Sequence, residues 1–115
     1  DIMLLKVGRH LRPKPHFKII ISREEGENNY MSGYKNEYPS ISVLSHRGPI
    51  ALLDGDFGHA SSEEDVYLAA SIVARFSQGR EASEVKMQIR QTDGTEREIR
   101  VRPIAPESVE RSWYI

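Results

Sequence analysis

Apolar positions along the chain change their period several times, and each change marks an element. Residues 2–7 form a short apolar run suited to a strand, closed by Gly8. Pro13 and Pro15 interrupt residues 9–16, which therefore read as an irregular basic loop. Residues 17–22 (FKIIIS) are β-branched and nearly continuous, the pattern of a strand buried on both faces. Residues 24–34 are polar and contain Gly26 and Gly33, which predicts a short helix there. Two further apolar runs, 41–44 and 50–53, flank Ser45-His46-Arg47-Gly48-Pro49. Gly and Pro in that gap predict a turn, so the pair reads as a hairpin with a basic tip. Residues 54–60 (DGDFGHA), with two glycines, read as a loop.

The period then becomes helical over 62–78. Ser61 and Glu64 have capping-box spacing, in which each side chain satisfies the other's free amide. Val66, Ala69, Ala70, Val73 and Phe76, with Leu68 and Ile72 beside them, make a broad apolar face. Tyr67, Ser71, Arg75 and Gln78 are expected to point the other way. Small residues at 69, 70 and 74 would let this helix sit close on a sheet, and Gly79 is a natural left-handed stop.

Strict alternation follows in 84–91 and 95–102. A three-residue loop, Thr92-Asp93-Gly94, puts Gly at the left-handed position and pairs Val85 with Val101 and Met87 with Ile99 on one face. It pairs Glu84 with Arg102 and Arg90 with Glu96 on the other, whereas a two-residue loop would set Ile89 against Glu98. Pro103 and Pro106 end the sheet. The expected fold is α/β (α+β): a mixed or largely antiparallel sheet of five to six strands, the main helix 62–78 packed on it and a shorter helix near 24–34. Residues 1–106 form the domain and 107–115 a C-terminal tail, whose Trp113 and Tyr114 either dock or stay free.

Composition narrows the class. A chain of 115 residues, 38% hydrophobic and 29% charged, builds one core with a well-solvated surface. No apolar run approaches the roughly 20 residues of a membrane span, and no secretory signal is visible. The absence of cysteine excludes disulfides, a thiolate nucleophile and a Cys-based zinc site, and points to the cytoplasm. The start at Asp1 suggests a segment of a larger intracellular protein. Net charge is −1, below what a generic nucleic-acid binder carries, but it is unevenly spread. Residues 1–23 hold six bases against Asp1 alone, +5. Residues 24–65 hold nine acids against two bases, −7. Such asymmetry either marks a polyanion-facing surface or places basic and acidic segments side by side to neutralise each other.

Candidate chemistry is sparse. There is no phosphate-binding Gly-Lys loop, nucleophile elbow or metalloprotease His pair, so no catalytic residue is assigned. His10, His16, His46 and His59 lie apart, so they read as surface or hydrogen-bonded histidines, with no metal site. Asp54 and Asp56 with Glu63, Glu64 and Asp65 lack the EF-hand spacing, and acids in a helix's first turn complement its dipole. The basic segment is the better candidate. Arg9, His10, Arg12, Lys14 and Lys18 cluster in sequence, with Arg23 beyond them and Arg47 at the hairpin tip. Guanidinium forks suit phosphate, and Phe17 or Tyr30 could stack on bases.

Three stretches stand out for their order along the chain. The first is Val7-Gly8-Arg9-His10-Leu11-Arg12, then residues 17–23, then Glu27-Asn28, similar to a "GRHxR … strand … GR … EN" pattern. The second is Gly48-Pro49-Ile50-Ala51-Leu52-Leu53, similar to a "GPxALL" strand. The third is Leu68-Ala69-Ala70 through Ala74-Arg75-Phe76-Ser77, similar to an "LAA … ARYS" helix. Together, in this order, they resemble the RNA-binding domain of the NFACT family, in the version appended to predicted tRNA 2-thiouridylases. Ser22 and Glu24 depart from the family's Gly and Asn, and His46-Arg47-Gly48-Pro49 replaces the Pro-Gly-Ser-His hairpin of ribosome-associated members. The resemblance implies a non-catalytic module for tRNA or other structured RNA, carried by a tRNA-thiolating parent. The ATP-using catalytic domain would lie upstream, with no cofactor in this segment. The alternative is a protein-interaction domain docking onto its own catalytic domain or a sulfur carrier.

Overall fold

The computed structural model describes residues 7–55 and 63–114. The strand expected at 2–7, apart from Val7, and most of the loop at 54–60 therefore lie outside the described residues, as does Ser61 of the expected capping box. Six strands, β1 (Arg9–Lys14), β2 (Phe17–Ile21), β3 (Ser40–Val43), β4 (Ile50–Gly55), β5 (Val85–Arg90) and β6 (Glu96–Val101), form one sheet ordered β1-β2-β4-β3-β5-β6. Every neighbouring pair is antiparallel. Two helices, α1 (Glu25–Ser32) and α2 (Glu63–Arg75), lie on opposite faces, an α+β arrangement of the expected kind.

The two-sided burial of the central strands follows from their composition. In β2, Phe17, Ile19 and Ile21 join Ala51 and Leu53 of β4 under α2, where Val66, Ala69, Ala70, Ile72 and Val73 meet them. Ile20, Ile50 and Leu52 face the other way and meet Met31 of α1, with Tyr34 and Tyr38 alongside. In β5 the alternation is cleaner. Val85, Met87 and Ile89 are buried against α2 while Lys86 is exposed. Burying this apolar surface, at about 25 cal/mol per Å², is the main force holding sheet to helices.

The β5–β6 hairpin has the expected register, with Val85 opposite Val101, Met87 opposite Ile99 and Arg90 opposite Glu96. Gly94, at φ +92°, closes its loop in the left-handed region. The hairpin expected at 41–53 also forms, with Ser42 opposite Ile50.

Four expectations are corrected, and one left open is settled. Residues 9–14 are not a loop but the edge strand β1, paired with β2 from Arg9↔Ile21 to Lys14↔Phe17. The register shifts between Leu11 and Lys14, and such an irregularity on an edge strand is where proline is tolerated. Helix α2 ends at Arg75, short of 78, and Gly79 is not left-handed, so the helix closes without a left-handed glycine cap. Gly79 is instead needed for space, since a Cβ there would stand 2.8 Å from His46 Nδ1. Ser71 is buried, not exposed, its hydroxyl donating to the Leu68 carbonyl at 2.8 Å. The final turn, Arg111–Trp113, lies beside β1: Trp113 packs against the core and Tyr114 forms a β-bridge with Leu11.

A candidate nucleic-acid interface

Four element ends converge at one corner of the sheet. The end of β2 brings Ser22 and Arg23, the start of α1 brings Glu24, Glu25 and Asn28, the β3–β4 turn brings His46, Arg47, Gly48 and Pro49, and the end of α2 brings Phe76 and Gln78. Together they line an open cleft of about 570 Å³.

Glu27, a buried carboxylate, organises the corner. Its Oε1 accepts from the Arg23 amide at 2.8 Å and from Arg23 Nε at 3.1 Å; its Oε2 accepts from Arg23 Nη2 at 2.7 Å and from the Gly8 amide at 3.1 Å. The hydrogen-bonded Arg23 guanidinium holds the Glu27 carboxyl at about 2, from an ordinary 4.5, against the opposing effect of burial. Gly8 has φ +74°, and a Cβ there would stand 2.8 Å from the Ile21 carbonyl oxygen. Gly8→Ala is therefore expected to lower stability by about 2 kcal/mol, read from the thermal unfolding midpoint.

A second tie sits beside the first. Ser22 Oγ donates to Asn28 Oδ1, and both oxygens accept from the Ile50 amide, at 3.0 and 3.2 Å, while the Ser22 amide donates to the Ile50 carbonyl at 3.0 Å. The ends of β2, α1 and β4 are thereby locked together. The hairpin tip is docked on the end of α2, where the Gln78 amide donates to the Arg47 carbonyl at 2.7 Å. A Cβ at Gly48 would fall 2.7 Å from the Ser77 Cβ.

The sequence-selected cations divide between two places. Arg9 points to the α2 side of β1, where its guanidinium lies 4.9 Å from the centroid of the Phe76 ring, a cation–π contact that puts Arg9 beside the cleft. Arg23 and Arg47 line the cleft itself, both exposed, although Arg23 spends its planar fork on Glu27. His10 Nε2 donates to the Val7 carbonyl at 2.9 Å, and Arg12 Nη1 donates to the Pro15 carbonyl at 3.1 Å. Lys14 and Lys18 lie at the other end of the β1–β2 pair. Lys14 lines a hollow with Glu64 and Asp65 of α2, and Lys18, its side chain 12% exposed, stands 4.0 Å from Asp54. Lys14 lies five positions along the strand from Arg9, roughly 16 Å. So the opening segment contributes Arg9 to the corner and sends its lysines elsewhere.

Sequence reasoning missed Phe76 and His46 as parts of this corner. Phe76 continues the apolar face of α2, and its position just past the helix end was the available signal. His46 adjoins the arginine already selected, and its Nδ1 lies 2.8 Å from Ser45 Oγ. Among the described residues no cluster of three His, Asp or Glu side chains could hold a metal ion, and no helix is long and apolar enough to cross a membrane.

The model of the NFACT protein RNA binding domain matches residues 8–114. The chain belongs to this family. The match to the NFACT domain runs from Gly8, the glycine clamped by Glu27, to the Tyr114 bridge. Its fold is also that of the C-terminal part of the fibronectin/fibrinogen-binding protein from Streptococcus suis, with a TM-score of 0.74, 15% identity and 95% of this chain covered. The chain spans about half of that structure, 49% of its length. No curated protein matches the sequence.

Proposed function

We propose that this NFACT domain binds RNA at the corner cleft, mainly through the sugar–phosphate backbone. The observation that carries the reading is the convergence of Arg9, Arg23 and Arg47 around Phe76, from three segments far apart in sequence. The family's RNA-binding character agrees with it. Arg47 is exposed on a docked turn and Arg9 is held over an aromatic ring, so both cations are positioned before RNA arrives. Such positioning lowers the ordering cost of each phosphate contact. Arg12 on the neighbouring edge extends the basic surface, whereas Arg23, neutralised by Glu27, acts chiefly by holding the corner in shape.

The ligand we favour is tRNA, and the parent a cytoplasmic tRNA-thiolating protein whose ATP-using catalytic domain lies upstream. The motif order shared with domains of predicted tRNA 2-thiouridylases supports this. Labelled tRNA titrated with the chain at several salt concentrations tests RNA binding. Log affinity is expected to fall linearly with log salt, with a slope of about −2 to −3 for three phosphate contacts. Association absent, or indifferent to salt, overturns the proposal. Thiolation of tRNA by the full-length protein, with and without this domain, tests the parent's activity separately.

A further inference from the structure

The two edges of the sheet are unlike. At β1 the edge carries Pro13 and is covered at Leu11 by the Tyr114 bridge. At the opposite side β6 is the last strand, and among the described residues no strand pairs with its outer edge. The Gln91 amide donates to the Thr95 carbonyl at 2.8 Å, so by alternation the backbone groups of Arg97, Ile99 and Val101 face β5. Those of Glu96, Glu98 and Arg100 face outward. The Arg102 amide, which donates outward to the Tyr67 hydroxyl at 3.0 Å, marks the end of the open stretch.

We propose that β6 is a self-pairing edge, which joins antiparallel to β6 of a second copy of this chain about a two-fold axis at Ile99. The charge pattern is self-complementary in that register. Glu98 stands opposite Arg100 of the other copy and Glu96 opposite Arg102, each occurring twice, all on the solvent face away from α2. Ile99 meets its own copy as a non-hydrogen-bonded pair, the closest kind in an antiparallel ladder, while Glu98 and Arg100 form the hydrogen-bonded pairs their outward backbone allows. Neighbouring registers fail. Moving the axis by one residue sets Glu98 or Arg100 against itself; moving it by two sets Glu96 against Glu98 or Arg100 against Arg102. Arg100 also reaches Glu84 of its own chain at 3.4 Å, and its exposed guanidinium keeps further donors for a second carboxylate. The partner is therefore a second copy, and the product a continuous twelve-stranded sheet. The proposal does not depend on the RNA reading.

The contact is a single strand of about 20 Å, so the expected dissociation constant is on the order of 100 µM, measured by sedimentation equilibrium of the chain. Glu98→Arg and Arg100→Glu are each expected to weaken dimerisation at least about tenfold. The double variant E98R/R100E, which restores the complementary pairs, is expected to recover it. Thermal unfolding confirms that each variant is folded, as their exposed positions allow. Since the chain has no cysteine, Ile99→Cys supplies a second measurement: the non-hydrogen-bonded pair, about 4.5 Å between Cα atoms, lies within disulfide range, so oxidation should yield a symmetric covalent dimer. A monomer up to about 1 mM, single variants that dimerise like the parent, or a double variant that stays monomeric while folded would overturn the proposal.

Discussion

Glu27→Ala is expected to be the most damaging single substitution in the corner, lowering stability by about 3 kcal/mol. The carboxylate is buried and accepts from the Gly8 amide and from three nitrogens of Arg23. Removing it strands two amides and a guanidinium at once. Its depressed pKa makes a second, independent forecast. A carboxyl at about 2 when folded and near 4.5 when unfolded contributes stability that is fully present above 4.5 and lost as pH falls toward 2. Solvent screens the pair through the half-exposed Arg23, so the contribution is about 1–2 kcal/mol, below the full conversion of the shift. Thermal unfolding midpoints of the parent should therefore fall between about pH 4.5 and 2. Glu27→Gln, which keeps the shape but not the charge, should have a lower midpoint at neutral pH and a flatter acid limb. An unchanged acid limb in Glu27→Gln would show that other carboxylates govern it.

Local rules reached some parts of this fold and stopped short of others. The β5–β6 hairpin was legible because one loop length satisfied burial and charge together, and its register is the expected one. Helix α2 was legible because thirteen residues repeat one face, although its end was not: the last turn is set by Arg47 and His46 packing from a distant hairpin. Strand β1 escaped because two prolines outweighed its alternation. Its irregularity and edge position, which make Pro13 harmless, are properties of the sheet and not of the segment. Ser71 escaped because the chain after β6 covers it, the Ile104 amide donating to its carbonyl at 3.1 Å, while its hydroxyl is satisfied by its own helix.

The site shows the same division. Charge singled out Arg9, Arg23 and Arg47, but charge cannot say which cations meet. That is decided by β1 pairing with β2, which puts Arg9 beside Ile21 at the cleft end and Lys14 beside Phe17 at the other. Glu27-Asn28 was visible as part of a motif and silent as to role. In space the pair is structural, Glu27 tying Gly8 and Arg23 to α1, and Asn28 tying Ile50. Ser22, a departure from the family's glycine, puts its hydroxyl into that same tie.

Arg9→Ala combined with Arg47→Ala is expected to weaken RNA binding about 100-fold at moderate salt, and to reduce the salt slope by about two. Arg47 is an exposed guanidinium on a turn anchored through its own backbone, so its side chain can leave without disturbing the Gln78 contact. Arg9 is exposed on an edge strand, and losing it costs one cation–π contact, about 1 kcal/mol, so the fold survives. Lys14→Ala and Lys18→Met, the latter keeping the covered stem of a side chain 12% exposed, serve as the counter-test at the far end of the same strand pair. Their affinities should stay within about twofold of the parent, because a phosphate track through the cleft lies beyond their reach by more than a Debye length, about 8–10 Å. Phe76→Leu separates platform from charge: it keeps an apolar side chain at the end of α2 but removes the ring beneath Arg9. A loss of about tenfold in that variant, with the salt slope unchanged, would mean that the ring contributes by holding Arg9 in place or by stacking on a base, with the number of phosphate contacts the same. Equal losses from the lysine and arginine variants would instead describe a diffuse basic surface, and the cleft would have no special part in binding.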